Sequence, residues 1–72
     1  ENDGRHSIWM KNMNFPIDII WIDSNYNAVD IKRNAEPCRD DCEVYSPKSD
    51  AKYVLEVNAN SNINIGDNVE IK

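Results

Sequence analysis

The stretch I-D-I-I-W-I-D at residues 17–23 decides the fold of this chain. It is rich in β-branched and aromatic residues, which favours a strand. Alternate side chains of a strand share a face. One face of this strand therefore carries Ile17, Ile19 and Trp21. The other face carries Asp18, Ile20 and Ile22. Because both faces are mostly apolar, we predict a central strand that is covered on both sides.

Further strands are predicted on either side of this one, at residues 7–11, 28–33, 51–58 and 68–72. The polar residues 24–27 are typical of a turn and should join the second strand to the third in a hairpin, with Val29 and Ile31 inward. In the fourth strand, Tyr53, Leu55 and Val57 should share a face. We predict a mainly β fold, an antiparallel sheet curled toward a small barrel, with little helix.

Two other segments have the composition of connections. Residues 34–50 hold two prolines, two cysteines and many charges, so we predict a long, irregular, exposed loop there. Residues 65–67 (I-G-D) predict a turn.

Length and charge exclude several classes of function. The 72 residues make at most one domain. Eight basic residues are scattered among thirteen acidic ones, for a net charge of −5, whereas nucleic acids and anionic membranes are bound through clustered Lys and Arg. No apolar run is long enough to span a bilayer. Only two glycines are present, so a Gly-rich phosphate site is excluded, and we expect no cofactor.

Several short motifs follow one another in order: W-M-K-N at 9–12, P-I-D-I at 16–19, W-I-D at 21–23, V-L-E-V-N-A at 54–59 and G-D at 66–67. This series resembles the family called domain of unknown function 192 over nearly the whole chain. The family has no established activity, so the resemblance implies a fold and leaves the function open.

Members of that family carry a further strand and segment upstream, in an α+β domain. The resemblance therefore implies that this chain is the C-terminal portion of the domain, with sheet edges open to an N-terminal fragment or to self-association. Asn60 stands where the family has glycine. The segment 61–65 is also shorter than usual, so we expect the family's short helix to be missing there.

Cys38 and Cys42 have C-x₃-C spacing in the polar loop. A disulfide is the leading interpretation, and two free thiols or a metal site are the alternatives. A structural zinc site needs four ligands, and without carboxylates only His6 could join the two cysteines. Exported members of the resembled family have a loop similar to Pro37-Cys38, Cys42 and Tyr45. A disulfide implies an extracytoplasmic location, although a cytoplasmic one stays open.

Two hypotheses of chemistry come from side chains near the N-terminus and in the second strand. His6 and Met10 share a face if extended and offer soft ligands for Cu(I), but packing is the commoner role of Met. Asp18 is a carboxylate in an apolar strand. It either pairs structurally, with Lys11, Arg33 or backbone N–H groups, or acts as a functional acid together with Glu56.

We expect Trp9 and Trp21 to be core residues rather than a ligand platform. No catalytic constellation stands out, so we favour a non-catalytic extracytoplasmic binding or accessory module for a protein or small ligand, with the loop at residues 36–45 displayed for recognition. The candidate functional surface comprises Trp9, Lys11, Asn12, Asp18, Tyr45 and Glu56. The alternative is an enzyme using Asp18 and Glu56 in one cleft, with Lys11 or Asn12.

Overall fold

A computed structural model describes residues 7–10, 13–40 and 42–69. Its strands are β1 (Ile8–Trp9), β2 (Ile17–Ile22), β3 (Ala28–Ala35), β4 (Val44–Tyr45) and β5 (Tyr53–Asn58). They form an antiparallel three-stranded sheet in the order β3-β2-β5 and an antiparallel ribbon of β1 with β4. The predicted mainly β antiparallel fold is confirmed. Within the described ranges no segment is helical, and the two sheets do not close into a barrel.

Strand β2 is the centre of the molecule, as predicted. All six of its residues are buried. Ile17, Ile19 and Trp21 belong to one apolar cluster, while Ile20 and Ile22 belong to a second cluster on the opposite face. Complete burial of each such side chain stabilises the fold by about 1.5–3 kcal/mol, so β2 supplies a large part of the hydrophobic free energy of folding.

The predicted hairpin joins β2 to β3 through a turn built on Asp23. The Asp23 carboxylate accepts hydrogen bonds from the backbone N–H groups of Asn25 and Asn27, each at 2.9 Å. Asp and Asn side chains commonly close turns in this way. Tyr26, with φ of 65°, adopts the left-handed conformation within the turn.

A β-bulge interrupts β3 just after the turn. Trp21 pairs with Asp30 but Ile22 pairs with Ala28, so Val29 is an extra residue on β3. An extra residue reverses the alternation of side chains beyond it.

This bulge separates Val29 from Ile31, which we predicted to point inward together. Val29 packs against the first apolar cluster and Ile31 against the second. That prediction is wrong because it assumed a regular strand, in which residues two positions apart share a face.

A second bulge lies at the far end of the same strand. Ile17 pairs with Ala35 and Ile19 with Lys32, so two steps along β2 match three steps along β3. Asn34, within this bulge, has a φ of 51°, a conformation that Asn tolerates better than most residues. The strand therefore continues two residues beyond the predicted end at Arg33.

The loop predicted for residues 34–50 is not irregular throughout. It contains the end of β3 and the short strand β4, whose Tyr45 pairs with Ile8 and whose Val44 pairs with Trp9. Ile8 and Tyr45 pack against the first apolar cluster. The ribbon therefore covers that face of the three-stranded sheet.

The segment after β5 covers the other face. Ile63 and Val69 pack against the second cluster, as do Tyr53, Leu55 and Val57 of β5, which share a face as predicted. The predicted turn at 65–67 is present, closed by a hydrogen bond from Asp67 N–H to Asn64 O at 3.0 Å. Of the strand predicted at 68–72, only Asn68 forms a bridge, with Asn27, and residues 70–72 lie outside the described part.

Candidate functional site

The buried carboxylate of Asp18 joins three parts of the chain. Its side chain is 1% exposed. One oxygen accepts the backbone N–H of Asn34 at 2.8 Å, from the second bulge of β3. The other oxygen accepts both the backbone N–H and the hydroxyl of Ser61, at 2.9 and 2.7 Å. The guanidinium of Arg33 lies 3.6 Å from the same oxygen.

These contacts decide the charge state of Asp18. Burial raises the pKa of the carboxyl, but the hydrogen bonds from Asn34 and Ser61 and the charge of Arg33 outweigh it, so the pKa lies below its usual value. The carboxylate is therefore ionised at neutral pH. A proton donor or a general base near pH 7 needs a raised pKa, so the environment of Asp18 favours a structural ion.

A polar cleft of about 540 Å³ lies over this group. Its lining residues are Asp18, Arg33, Asn34, Asn60, Ser61, Asn62 and Asn64. Arg33 donates to the backbone oxygens of Ser61 and Ile63 and to Oδ1 of Asn64. Its guanidinium thus holds the segment after β5 against β3. The cleft lies where these two segments meet, and its side chains connect them.

Asp18 and Glu56 do not share a cleft. Asp18 pairs with Val57, whereas Glu56 pairs with Ile19. Directly paired residues of neighbouring strands point to the same side of the sheet, so the two carboxylates lie on opposite faces. The hypothesis of an enzyme built on this pair required convergence, and the structure does not bring the two side chains together.

The outer side of the β1–β4 ribbon is apolar and exposed. Trp9 and Val44 are directly paired, and each is 55% exposed. We call this pair the ribbon face. The expectation that both tryptophans are core residues is confirmed for Trp21, which is 1% exposed, and is wrong for Trp9. The physical reason is that a two-stranded ribbon lying on a sheet buries only its inner side, here Ile8 and Tyr45.

Tyr45, on the inner side of the ribbon, borders a second cleft of about 400 Å³ between β3 and β4. The ammonium of Lys32 lies 5.1 Å from the centre of its ring, within the range of a cation–π interaction. Tyr45 is half-buried and packs on the first cluster, so most of its surface supports the fold.

The predicted disulfide joins Cys38 to Cys42, with the two Cα atoms 5.6 Å apart. The backbone N–H of Cys38 donates to the oxygen of Met10 at 3.2 Å, one residue beyond the end of β1. The side chain of Cys38 packs on the first cluster. The disulfide loop is therefore held beside the ribbon face.

The soft-metal hypothesis rested on His6 and Met10. Met10 is 1% exposed and lies in the first cluster, where its thioether packs against apolar side chains. His6 lies outside the described residues, as do Lys11 and Asn12 of the predicted functional surface. Across residues 7–10, 13–40 and 42–69, no group of three or more His, Cys, Asp and Glu residues could hold a metal ion.

A family model for domain of unknown function 192, described as an uncharacterized ACR, matches residues 1–71. The chain belongs to this family. The resemblance of the ordered motifs is thereby confirmed. No curated protein and no solved structure matches the chain. In the part of this DUF192 chain that the structure describes, no helix has the length and apolar character to cross a membrane.

One departure of this DUF192 chain from the family pattern has a simple explanation. Asn60, which replaces a glycine, has a φ of 72°. Glycine adopts this left-handed conformation without strain, and Asn is among the residues that tolerate it best. The turn that brings Ser61 to Asp18 is thus kept.

Sequence reasoning missed several residues of these sites. Arg33 and backbone N–H groups were expected partners of Asp18, but Ser61 and Asn34 were not identified. Ser61 is 43 positions away, and no local pattern marks it. Val44 had one available signal, since it precedes Tyr45 in a Val-Tyr pair, a combination that favours a short strand.

Proposed function

We propose that this DUF192 chain is a non-catalytic binding module that recognises a protein partner through the ribbon face and the adjoining disulfide loop. The observation that carries the proposal is the direct pairing of Trp9 with Val44, both more than half exposed. Tryptophan is among the residues most often found at the energetic centre of protein interfaces.

The surroundings of the ribbon face support this role. Ile8 and Tyr45 anchor the ribbon to the core from below, and the disulfide restrains the loop beside it. A surface that is already ordered loses little conformational entropy on binding, which favours affinity.

The disulfide also supports an extracytoplasmic location for this activity. Cys38 and Cys42 are bonded, and such bonds persist mainly in oxidising compartments. We therefore expect the partner to be an extracytoplasmic or cell-surface protein.

The test uses a photo-crosslinking amino acid placed at position 44 and, as a control, at position 65. Ile65 is another exposed apolar residue, 65% exposed, in the turn of the segment that covers the other side of the sheet. We expect a crosslinked partner from position 44 alone. Binding of the purified partner should then weaken at least about tenfold in Trp9→Ala/Val44→Ala, and be unchanged in Ile65→Ala. Equal binding by all three proteins would contradict the proposal.

A further inference from the structure

The disulfide loop and its two flanks carry an uneven distribution of charge. Residues 36–43 contain four carboxylates, from Glu36, Asp40, Asp41 and Glu43, against the single guanidinium of Arg39. Of these, Glu36, Arg39, Asp40 and Glu43 lie in the described part, and all four are exposed. The loop therefore carries a local excess of negative charge in addition to the acidic balance of the whole chain.

The backbone attaches this acidic loop to the ribbon at two points. The hydrogen bond from Cys38 N–H to Met10 O holds the start of the disulfide loop one residue beyond Trp9. Glu43 joins the end of the loop to Val44, and its side chain borders the cleft on the side of Tyr45. A partner that covers Trp9 and Val44 therefore lies next to the acidic loop.

We infer that the occupant of the ribbon face is a basic polypeptide segment that carries a large aliphatic or aromatic side chain. The inference rests on the proposed function and names the class of partner. The apolar side chain covers Val44 and the edge of the indole, while Lys or Arg side chains pair with the loop carboxylates.

The chain contains its own optical probe for this interaction. Trp9 is 55% exposed and Trp21 is 1% exposed, so a ligand that covers the ribbon face changes the emission of Trp9 alone. The probes are three synthetic peptides without Trp. One is rich in Lys and Arg and carries Leu, the second has Glu in place of the basic residues, and the third has Ser in place of Leu.

We expect the basic Leu peptide to shift the emission to the blue, and the other two to bind at least about tenfold more weakly. Binding should weaken as salt increases, since exposed charges are screened. Asp40→Asn/Glu43→Gln should weaken it about fivefold. Asp67→Asn, in the turn of the segment that covers the other side of the sheet, should leave it unchanged, because the Asn oxygen can still accept the N–H of Asn64. Trp9→Phe should abolish the spectral change and so assign it to position 9.

Equal binding of the acidic and basic Leu peptides, or no binding of the basic one, would overturn the inference about the partner's charge. The proposed function is judged separately, by whether the crosslinked partner loses affinity for Trp9→Ala/Val44→Ala. A crosslinked partner that depends on the ribbon face but binds independently of salt and of Asp40 and Glu43 would keep the function and reject the inference.

Discussion

The carboxylate of Asp18 accepts two hydrogen bonds from Ser61, a residue that follows it by 43 positions in the chain. Asp18 belongs to the central strand, and Ser61 opens the segment that covers one face of the sheet. A single buried ion thus fixes the path of the chain after β5. Since removal of one member of such a network leaves buried partners unsatisfied, Asp18 should matter more for stability than any exposed carboxylate.

Substitution of Asp18 should therefore destabilise the fold strongly. Asp18→Ala removes the acceptor of three hydrogen bonds and the partner of Arg33. Each buried group left unsatisfied costs about 1–3 kcal/mol, so we expect the free energy of unfolding to fall by at least about 3 kcal/mol. Urea denaturation followed by tryptophan emission measures this change, because unfolding exposes the buried Trp21. Glu56→Gln, on the other face of the sheet, is the control and should stay within about 0.5 kcal/mol of the parent.

The lowered pKa of Asp18 determines how this residue makes the stability of the fold depend on pH. Because the pKa of Asp18 is lower in the folded protein than in the unfolded chain, its stabilising contribution is complete above the unfolded pKa, about 3.9, and is lost as pH falls through the folded pKa. Asp18→Asn should therefore flatten the acid limb of the stability curve below about pH 4. An unchanged acid limb in this variant would show that other carboxyls control acid unfolding.

Because Asn60 has a left-handed backbone conformation, we expect glycine and a β-branched residue at position 60 to affect stability differently. Asn60→Gly should be neutral within about 1 kcal/mol, because glycine accepts a φ of 72° without strain. Asn60→Val should lose about 1–2 kcal/mol or more, because a β-branched side chain clashes in this conformation. Asn62→Val, at an exposed neighbouring position without positive φ, is the matched control for denaturation measurements. Equal losses at 60 and 62 would contradict a conformational cause.

The disulfide should contribute modestly to stability. Its closed loop has only three intervening residues, and the chain-entropy estimate for so short a loop is about 2 kcal/mol. Cys38→Ser/Cys42→Ser should lower the free energy of unfolding by about this amount, and added reductant should do the same to the parent but not to the variant. A reductant effect of equal size on both proteins would point to another cause.

The two tryptophans should differ in their access to a neutral quencher. Acrylamide should quench Trp9, which is 55% exposed, far more than Trp21, which is 1% exposed. Trp9→Phe should therefore emit further to the blue and resist quenching. Strong quenching that persists in this variant would mean that the core around Trp21 opens readily.

The amino-acid pattern was sufficient for those parts of the fold that depend on periodicity. The alternation in residues 17–23 predicted both faces of β2, since a strand with two apolar faces has no alternative to a central position. The position of Val29 was beyond such reasoning. A bulge inserts one extra residue and so interrupts the alternation of side chains along the strand. Nothing in the local sequence of β3 marks the position of this extra residue.

In the candidate sites too, contacts between residues close in sequence were predictable and contacts set by the tertiary fold were not. The Cys38–Cys42 bond was predictable because its partners are close in sequence. The partnership of Asp18 with Ser61 was not, because it depends on how the chain returns over the sheet. Among the described strands, β1 pairs only with β4, and the exposure of Trp9 depends on this tertiary arrangement. Aromatic residues are usually buried in small cores, and that general tendency gave the wrong answer here.

The position of Arg39 inside the disulfide loop has a consequence for proteolysis. Arg39 is exposed and lies between Cys38 and Cys42, in the kind of surface loop that proteases cut first. A cut after Arg39 would separate the segment containing β1, β2 and β3 from the one containing β4 and β5. The sulfur bridge would still join the two pieces, and β5 could remain paired with β2. The nicked chain would thus keep its mass, apart from one added water, until a reductant released the halves.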